Sequence, residues 1–244
     1  MTGPRPFVVL YQVATADGRV ALTPDVLLMN DPRWPKYTGG GYASVLARHQ
    51  PDALLEGSGT LALPTDGPVD WAEGPAKVEP GHFLPREVVT EATRWFAVVD
   101  SRGRVAWPFR QFPYPEWAGT YLVVLVARST PRAYLAYLQR ERIPYLVVGQ
   151  QSVDLAEALT TLRSVLGVRS VVATPGAELG GALLRRGLID QIEIEILPIL
   201  AGGRRTPVML ASAELAADEA PVELLPLDTT TYADGRVLLS YAVA

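Results

Sequence analysis

The chain has 244 residues, long enough to bury a substantial core as one large α/β domain or two small ones, of which a single domain is expected. It carries 22 Lys and Arg against 26 Asp and Glu, a net charge of -4 with no long basic run, and so offers no electrostatic footprint for nucleic acid. With no cysteine and only His49 and His82, it leaves no means for disulfides, zinc thiolate sites, iron–sulfur clusters, a thiol nucleophile or a histidine-rich metal site, so no metal is expected.

The first predicted element is a buried strand over residues 7–14, followed by the turn ATADGRV, in which Asp17 before Gly18 is a local turn signal. The opening run is too short for a secretory h-region, and no stretch approaches about 20 uninterrupted apolar residues, so a soluble, cytoplasmic protein without a membrane segment is expected. A helix is predicted over residues 42–49 and a short strand over 53–55 that feeds directly into Gly57, Ser58, Gly59 and Thr60. Bare amides and a hydroxyl at a strand end are a common way to hold a nucleotide phosphate. Gly57, Gly59 and Ala62 also satisfy a GxGxxA spacing, but the chain runs into Pro64 within about one turn, too early for the helix that a Rossmann fingerprint needs.

Proline-rich and glycine-rich stretches at 64–85 and 107–117 read as long surface connections. Strands are predicted over 95–99, 121–126, 145–148 and 170–173, and helices over 131–140, 154–166 and 178–186, the second of these opening on Asp154 as N-cap and closing at Gly167. Residues 191–197 alternate Ile and Glu, and with 221–228 and 236–243, which flank a turn near Asp234 and Gly235, they read as antiparallel edge strands. Alternating strands and helices imply a mostly parallel central sheet flanked by helices, with an antiparallel C-terminal hairpin, in a single domain over residues 1–244. No Walker loop, HExxH, GxSxG or HxE with a downstream PCxxC is present.

The segment LARHQPDALLEGSGT resembles the helix, strand and GxGT loop of the riboflavin-biosynthesis reductases, the family of the reductase domain of the bifunctional deaminase/reductase and of stand-alone pyrimidine reductases. ATADGRVAL is similar to its opening strand and SLDGR-type turn, and GALLRRGLIDQIEIEILPILAGG to its helix, LvDE turn and P-x-llG strand end, all in family order. The resemblance implies a dihydrofolate-reductase-like fold, NADPH as cofactor, and hydride transfer to a small heterocyclic or imine-like substrate. It also implies a homodimer, for which IEIEILPIL and its neighbours would supply the interface.

Carried over by residue, the resemblance sets the backbone of Ala14 and Thr15 at the nicotinamide and gives Gly57, Ser58, Gly59 and Thr60 to cofactor phosphate. Ser101 and Arg102 fall where relatives place polar or basic residues near the adenosine 2′-phosphate, or else form a solvated turn with Gly103. The family's EGG loop is replaced by Thr174, Pro175 and Gly176; the helix start at Ala177, Glu178 and Leu179 can still offer amides to a pyrophosphate, while Glu178 also fits a first-turn capping carboxylate. Glu56 stands where relatives carry an apolar residue before the GxGT turn, and is either at an exposed strand end or, in the cleft, able to hydrogen-bond the substrate or donate the proton that accompanies hydride delivery. Asn30, Asp31 and Trp34 lie in the loop that binds substrate in relatives, and Arg48 matches an arginine able to hold a ribose phosphate; a loop anchor for Trp34 and a helix C-terminal cation for Arg48 fit equally. Two function classes follow: a reductase of the riboflavin intermediate or of a specialised metabolite, and a catalytically idle relative that binds a ligand or partner.

Overall fold

The computed structural model describes residues 4–33, 41–61, 71, 81–114 and 117–244. In chain order the elements are β1 (Phe7–Thr15), β2 (Ala21–Thr23), β3 (Val26–Leu27), α1 (Gly41–His49), β4 (Ala53–Gly57), α2 (Arg86–Glu91), β5 (Arg94–Val99) and β6 (Thr120–Val126). They continue with α3 (Arg132–Arg140), β7 (Tyr145–Val147), α4 (Leu155–Leu166), β8 (Ser170–Ala173), α5 (Ala177–Arg185), β9 (Gln191–Leu197), β10 (Leu224–Thr231) and β11 (Val237–Val243). The fold is α/β, and two compact units divide it: unit one holds Pro51–Val171 with the residues up to Pro6, unit two holds Phe7–Gln50 and Val172–Ala244.

In unit one, β4, β5, β6 and β7 pair in that order, all parallel, from Ala53 opposite Trp95 to Val126 opposite Val147. Every residue of β6 is buried, as expected of a Val- and Leu-rich parallel strand covered on both faces. The outer edge is closed by short irregular segments. Phe83 exchanges both main-chain hydrogen bonds with Tyr145 at 2.9 Å, and the amides of Phe112 and Leu122 pair residues 110–112 with the start of β6. Residues 107–117, expected as a surface connection, therefore carry part of the core: Phe112 stacks on Trp117 at 4.7 Å and meets Phe96 of β5 at 4.9 Å. Most of the other long connection, 64–85, lies outside the described residues. Helix α4 starts as its sequence predicts, with Asp154 Oδ1 accepting the Glu157 amide at 2.9 Å, and ends at Gly167 with φ 70°.

In unit two the order is β10, β11, β9, β1. Residues 191–197 are not an antiparallel edge strand: β9 runs parallel to β1, from Val9 opposite Gln191 to Thr15 opposite Leu197, and β11 covers its other side antiparallel. Alternation of Ile and Glu reports which face each side chain takes and says nothing about the partner strand. The register sets Leu238 and Ser240 beside Glu195 and Glu193 on one face, and Val237, Leu239 and Tyr241 beside Ile196, Ile194 and Ile192 on the other. The hairpin's first strand starts at Leu224, later than the predicted 221, and ends at Thr231, later than the predicted 228, the β-branched run Thr229, Thr230 and Thr231 extending it toward the turn at Gly235.

Candidate functional site

At the end of β4 the chain leaves Gly57 in extended conformation and makes one 3₁₀ turn over Ser58–Thr60. Ser58 is buried, and its Oγ accepts a hydrogen bond from Nη2 of Arg104 at 2.8 Å. The end of β5 explains why Arg104 stands there. The fully buried Asp100 carboxylate accepts the amides of Arg104 and Val105 at 2.8 and 3.1 Å through Oδ2, folding 101–104 into a tight turn. Gly103 sits in that turn at φ 65°, where a Cβ would come within 2.7 Å of the Tyr134 ring, so no larger residue fits. Thr130 Oγ1 donates to the Ser101 carbonyl at 2.8 Å and pins the turn from the far side.

The charge balance of this turn is uneven. Arg104 Nε lies 4.0 Å from Asp100 Oδ1, and both buried atoms lack a hydrogen-bond partner among the described residues. A guanidinium whose hydrogen bond among the described residues goes to a neutral hydroxyl keeps its charge for an incoming anion. Burial, and then the Asp100 carboxylate beside it, push the Tyr134 hydroxyl upward. Arg102 points into solvent with no partner among the described residues. Glu56 is buried in β4 opposite Val98, which rules out the exposed strand end.

In unit two, β1 ends in Ala14 and Thr15, both buried. Thr15 Oγ1 donates to Asp17 Oδ1 at 2.6 Å, and Asp17 also accepts the amides of Ala201 and Gly202 at 3.0 and 2.7 Å. The hydrogen bond from Thr15, then those two amides, hold the Asp17 carboxyl down at about 2. Asp17 is therefore more than a turn residue: it clamps the loop after β9. In the altered loop, Thr174 and Gly176 are half-buried, and the Pro175 carbonyl accepts Gln12 Nε2 at 2.5 Å. Gly176 caps α5 without a side-chain hydrogen bond; Glu178 is exposed in the first turn and Leu179 half-buried. The Ala177 carbonyl is taken by the Ala211 amide at 3.0 Å, and a Cβ on Gly181 would fall 1.8 Å from the Ala211 oxygen, so this helix face must be glycine.

Residues 6–237 match the family described as the RibD C-terminal domain. The chain belongs to this family. A relative, the 2,5-diamino-6-ribosylamino-4(3H)-pyrimidinone 5′-phosphate reductase of Methanothermobacter thermautotrophicus, is 28% identical over 238 residues, covering 90% of this chain and 91% of its own. Among solved structures, the Saccharomyces cerevisiae riboflavin biosynthesis reductase Rib7 superposes with a TM-score of 0.62 at 18% identity, over 100% of this chain and 93% of that one. A pyrimidine reductase-like protein of Corynebacterium diphtheriae gives 0.64 at 14% identity, over 98% and 92%. RibD of Acinetobacter baumannii gives 0.61 at 20% identity; 98% of this chain is covered, and it spans 58% of that longer protein. The fold is the dihydrofolate-reductase-like one of the RibD reductase domains.

Within the RibD C-terminal domain frame, the side-chain contacts bring Ser58 to Arg104 and Thr15 to Asp17. Gly57, Gly59 and Thr60 share the turn with Ser58, and no Cβ on Gly59 would meet another atom within 4 Å, so that glycine is not required by packing. On the substrate side, Asn30 is exposed and Asp31 is bound by Arg33 at 2.8 Å, while Trp34 lies outside the described residues. Arg48 does not stand free for a ribose phosphate: its Nη2 pairs with Glu193 Oε2 at 2.9 Å, and its guanidinium lies 5.7 Å from the centre of the Tyr11 ring. The residues missed in sequence are Asp100 and Arg104, whose signal is an acid and a base at i, i+4 around a glycine directly after a strand.

Proposed function

We propose that this chain is an NADPH-dependent reductase that delivers a hydride to a small heterocyclic or imine-like substrate, either a ribosylaminopyrimidine of the riboflavin pathway or a specialised metabolite. The observation that carries this reading is the match of residues 6–237 to the RibD C-terminal domain, supported by a relative named as a ribosylaminopyrimidine phosphate reductase. Bound NADPH supplies the hydride, so the protein's share is binding, alignment and electrostatics. The half-exposed guanidinium of Arg104, anchored by Ser58, fits the phosphate that distinguishes NADPH from NADH, with Ser101 and Arg102 on the same turn. The amides of Gly57, Ser58, Gly59 and Thr60 are assigned to cofactor phosphate. In unit two the same reading gives cofactor roles to Ala14 and Thr15 and to Thr174, Gly176, Ala177, Glu178 and Leu179. Glu56, a buried carboxylate one residue before the turn, is assigned the proton that accompanies hydride delivery.

A second reading is a catalytically idle relative that binds a ligand or partner. It is favoured by Pro175, which removes one amide from the altered loop and whose carbonyl is tied to Gln12. Titration of the full chain with NADPH, followed by tryptophan fluorescence, and NADPH consumption with the ribosylaminopyrimidine phosphate separate the readings. Micromolar binding with turnover supports the reductase, binding without turnover of any tested imine or heterocycle supports the second reading, and no binding overturns NADPH dependence. No helix among the described residues is long and apolar enough to cross a membrane; a cytoplasmic location belongs to the proposal.

A further inference from the structure

The peptide that joins Gly103 to Arg104 is held at both ends by side chains of unit one. The buried Asp100 carboxylate accepts its N–H at 2.8 Å, and its C=O accepts the indole Nε1–H of Trp71 at 3.1 Å. Asp100 belongs to the same turn, but Trp71 lies 32 residues before Gly103, in the proline- and glycine-rich connection that follows the Ser58 turn. The indole has a seat there: its centre lies 4.5 Å from that of the Tyr137 ring and 5.0 Å from that of Tyr134, within the range of aromatic pairs. Both tyrosines are buried on α3, and hydrogen bonds fix them in turn. Tyr137 OH accepts the Trp107 amide at 2.7 Å and donates to the Trp107 carbonyl at 3.0 Å, while Tyr134 OH accepts Trp107 Nε1 at 3.2 Å.

Packing alone would ask for any flat ring at position 71. What the indole adds is its single donor, and that donor goes to the carbonyl of the residue before Arg104. A peptide plane fixed at both ends fixes the direction in which the next side chain leaves the backbone. Here that side chain is Arg104, whose Nη2 reaches Ser58 Oγ at 2.8 Å. Holding a charged donor in place favours a ligand group that the donor meets and no other part of the ligand. We propose that Trp71 is a positioning residue: through the Gly103 carbonyl it keeps Arg104 aimed at the phosphate that NADPH has and NADH lacks, and so contributes to the selectivity between the two. The inference rests on the NADPH reading and adds to it a residue that acts through Arg104.

Calorimetry with NADP⁺ and NAD⁺ on the full chain and on Trp71→Phe tests it, because phenylalanine keeps a ring against Tyr134 and Tyr137 and removes the N–H. NADP⁺ should bind about 3- to 10-fold more weakly to Trp71→Phe, the weight of one neutral hydrogen bond, and NAD⁺ should change by less than about twofold. In an Arg104→Gln background the same substitution should change NADP⁺ affinity by less than about twofold, since the group that Trp71 aims is gone. Equal losses for the two dinucleotides, or no loss for either, assign Trp71 to packing and overturn the inference while the NADPH reading stands. A fully additive loss in the double variant does the same. If the unaltered chain binds neither dinucleotide, the NADPH reading falls and the inference with it. Should Trp71→Phe fail to fold, Trp71→Tyr serves instead, with a ring, no indole N–H and the same expected change in the NADP⁺ to NAD⁺ ratio.

Discussion

Units one and two place their charges in opposite positions along their strands. In unit one β6 is apolar and buried throughout, and the charges stand at or near strand ends, in Glu56 one residue before the end of β4 and in Asp100 and Arg104 after β5. In unit two the charges sit in mid-strand: Glu193 binds Arg48 and His49, and Glu195 binds Tyr11 and Arg236. A charge at a strand end has donors left for a ligand, whereas a charge buried in mid-strand must be satisfied by protein groups or not be there at all. On the proposed reading, recognition in unit one is therefore electrostatic and terminal, whereas the mid-strand charges of unit two are spent inside the fold. The sheet edges differ as well, since Phe83 and residues 110–112 close that of unit one while β10 has no outer partner strand among the described residues.

The largest effect should come from removing a mid-strand charge. Tyr11 OH donates to Glu195 Oε2 at 2.7 Å and Arg236 pairs with Oε1, so Glu195→Ala leaves a buried hydroxyl and a guanidinium short of an acceptor. Breaking a buried pair from one side costs about 3–5 kcal/mol, and the lower end is expected because Arg236 keeps Asp234 at 2.8 Å. Urea denaturation reads this, and a loss under about 1 kcal/mol would erase the distinction between spent and available charges. Arg104→Gln should come next, and in binding rather than folding. Hydrogen bonds to charged groups contribute roughly 1.5–3 kcal/mol, so NADP⁺ should bind about 10- to 100-fold more weakly while NAD⁺ changes little. Calorimetry with both dinucleotides decides it, and an unchanged ratio would mean that Arg104 is committed as fully as Glu195.

How much of this contrast is legible in sequence depends on how local each signal is. Helix α4 is read to the residue at its cap because Asp154 and Gly167 act on their own neighbours. The strands of unit one are read from runs of Val and Leu, and the family resemblance from segments in order. Arg104 is not read, because its partner Ser58 lies 46 residues away and a strand-end arginine looks like any solvated turn until that contact forms. For the same reason Arg48 passes as a helix-end cation when its carboxylate partner is 145 residues distant. Alternation in β9 shows two unlike faces, yet which face ends up covered is decided by α1 bringing Arg48 and His49 onto the Glu side.

Acid should act on unit two through Glu193. Burial pushes its carboxyl up, but hydrogen bonds from His49 and Arg48 outweigh that and hold it below the usual range. A depressed folded value means stabilisation that is present above the unfolded value, about pH 4.3, and is lost as pH falls through the folded one. The melting temperature should therefore fall below about pH 4.3, and Glu193→Gln should flatten the upper part of that decline. Asp17, held at about 2, titrates lower and leaves a residual slope in the variant. Equal slopes in both proteins would show that the His49 and Arg48 contacts do not favour the charged form.

The smallest effect is a control inside unit one. Asp154 accepts the Glu157 amide, and Glu157 Oε2 in turn accepts the Gly149 amide at 2.8 Å, so two main-chain donors at the start of α4 are satisfied by carboxylates at the surface. Water can replace a lost acceptor there, which is why Asp154→Ala should cost only about 1 kcal/mol and Asp154→Asn a few tenths. The ratio of this loss to that of Glu195→Ala measures what desolvation adds to an otherwise similar carboxylate contact. If thermal melts give the two variants equal losses, burial is not what separates the charges of the two units, and the contrast between them fails.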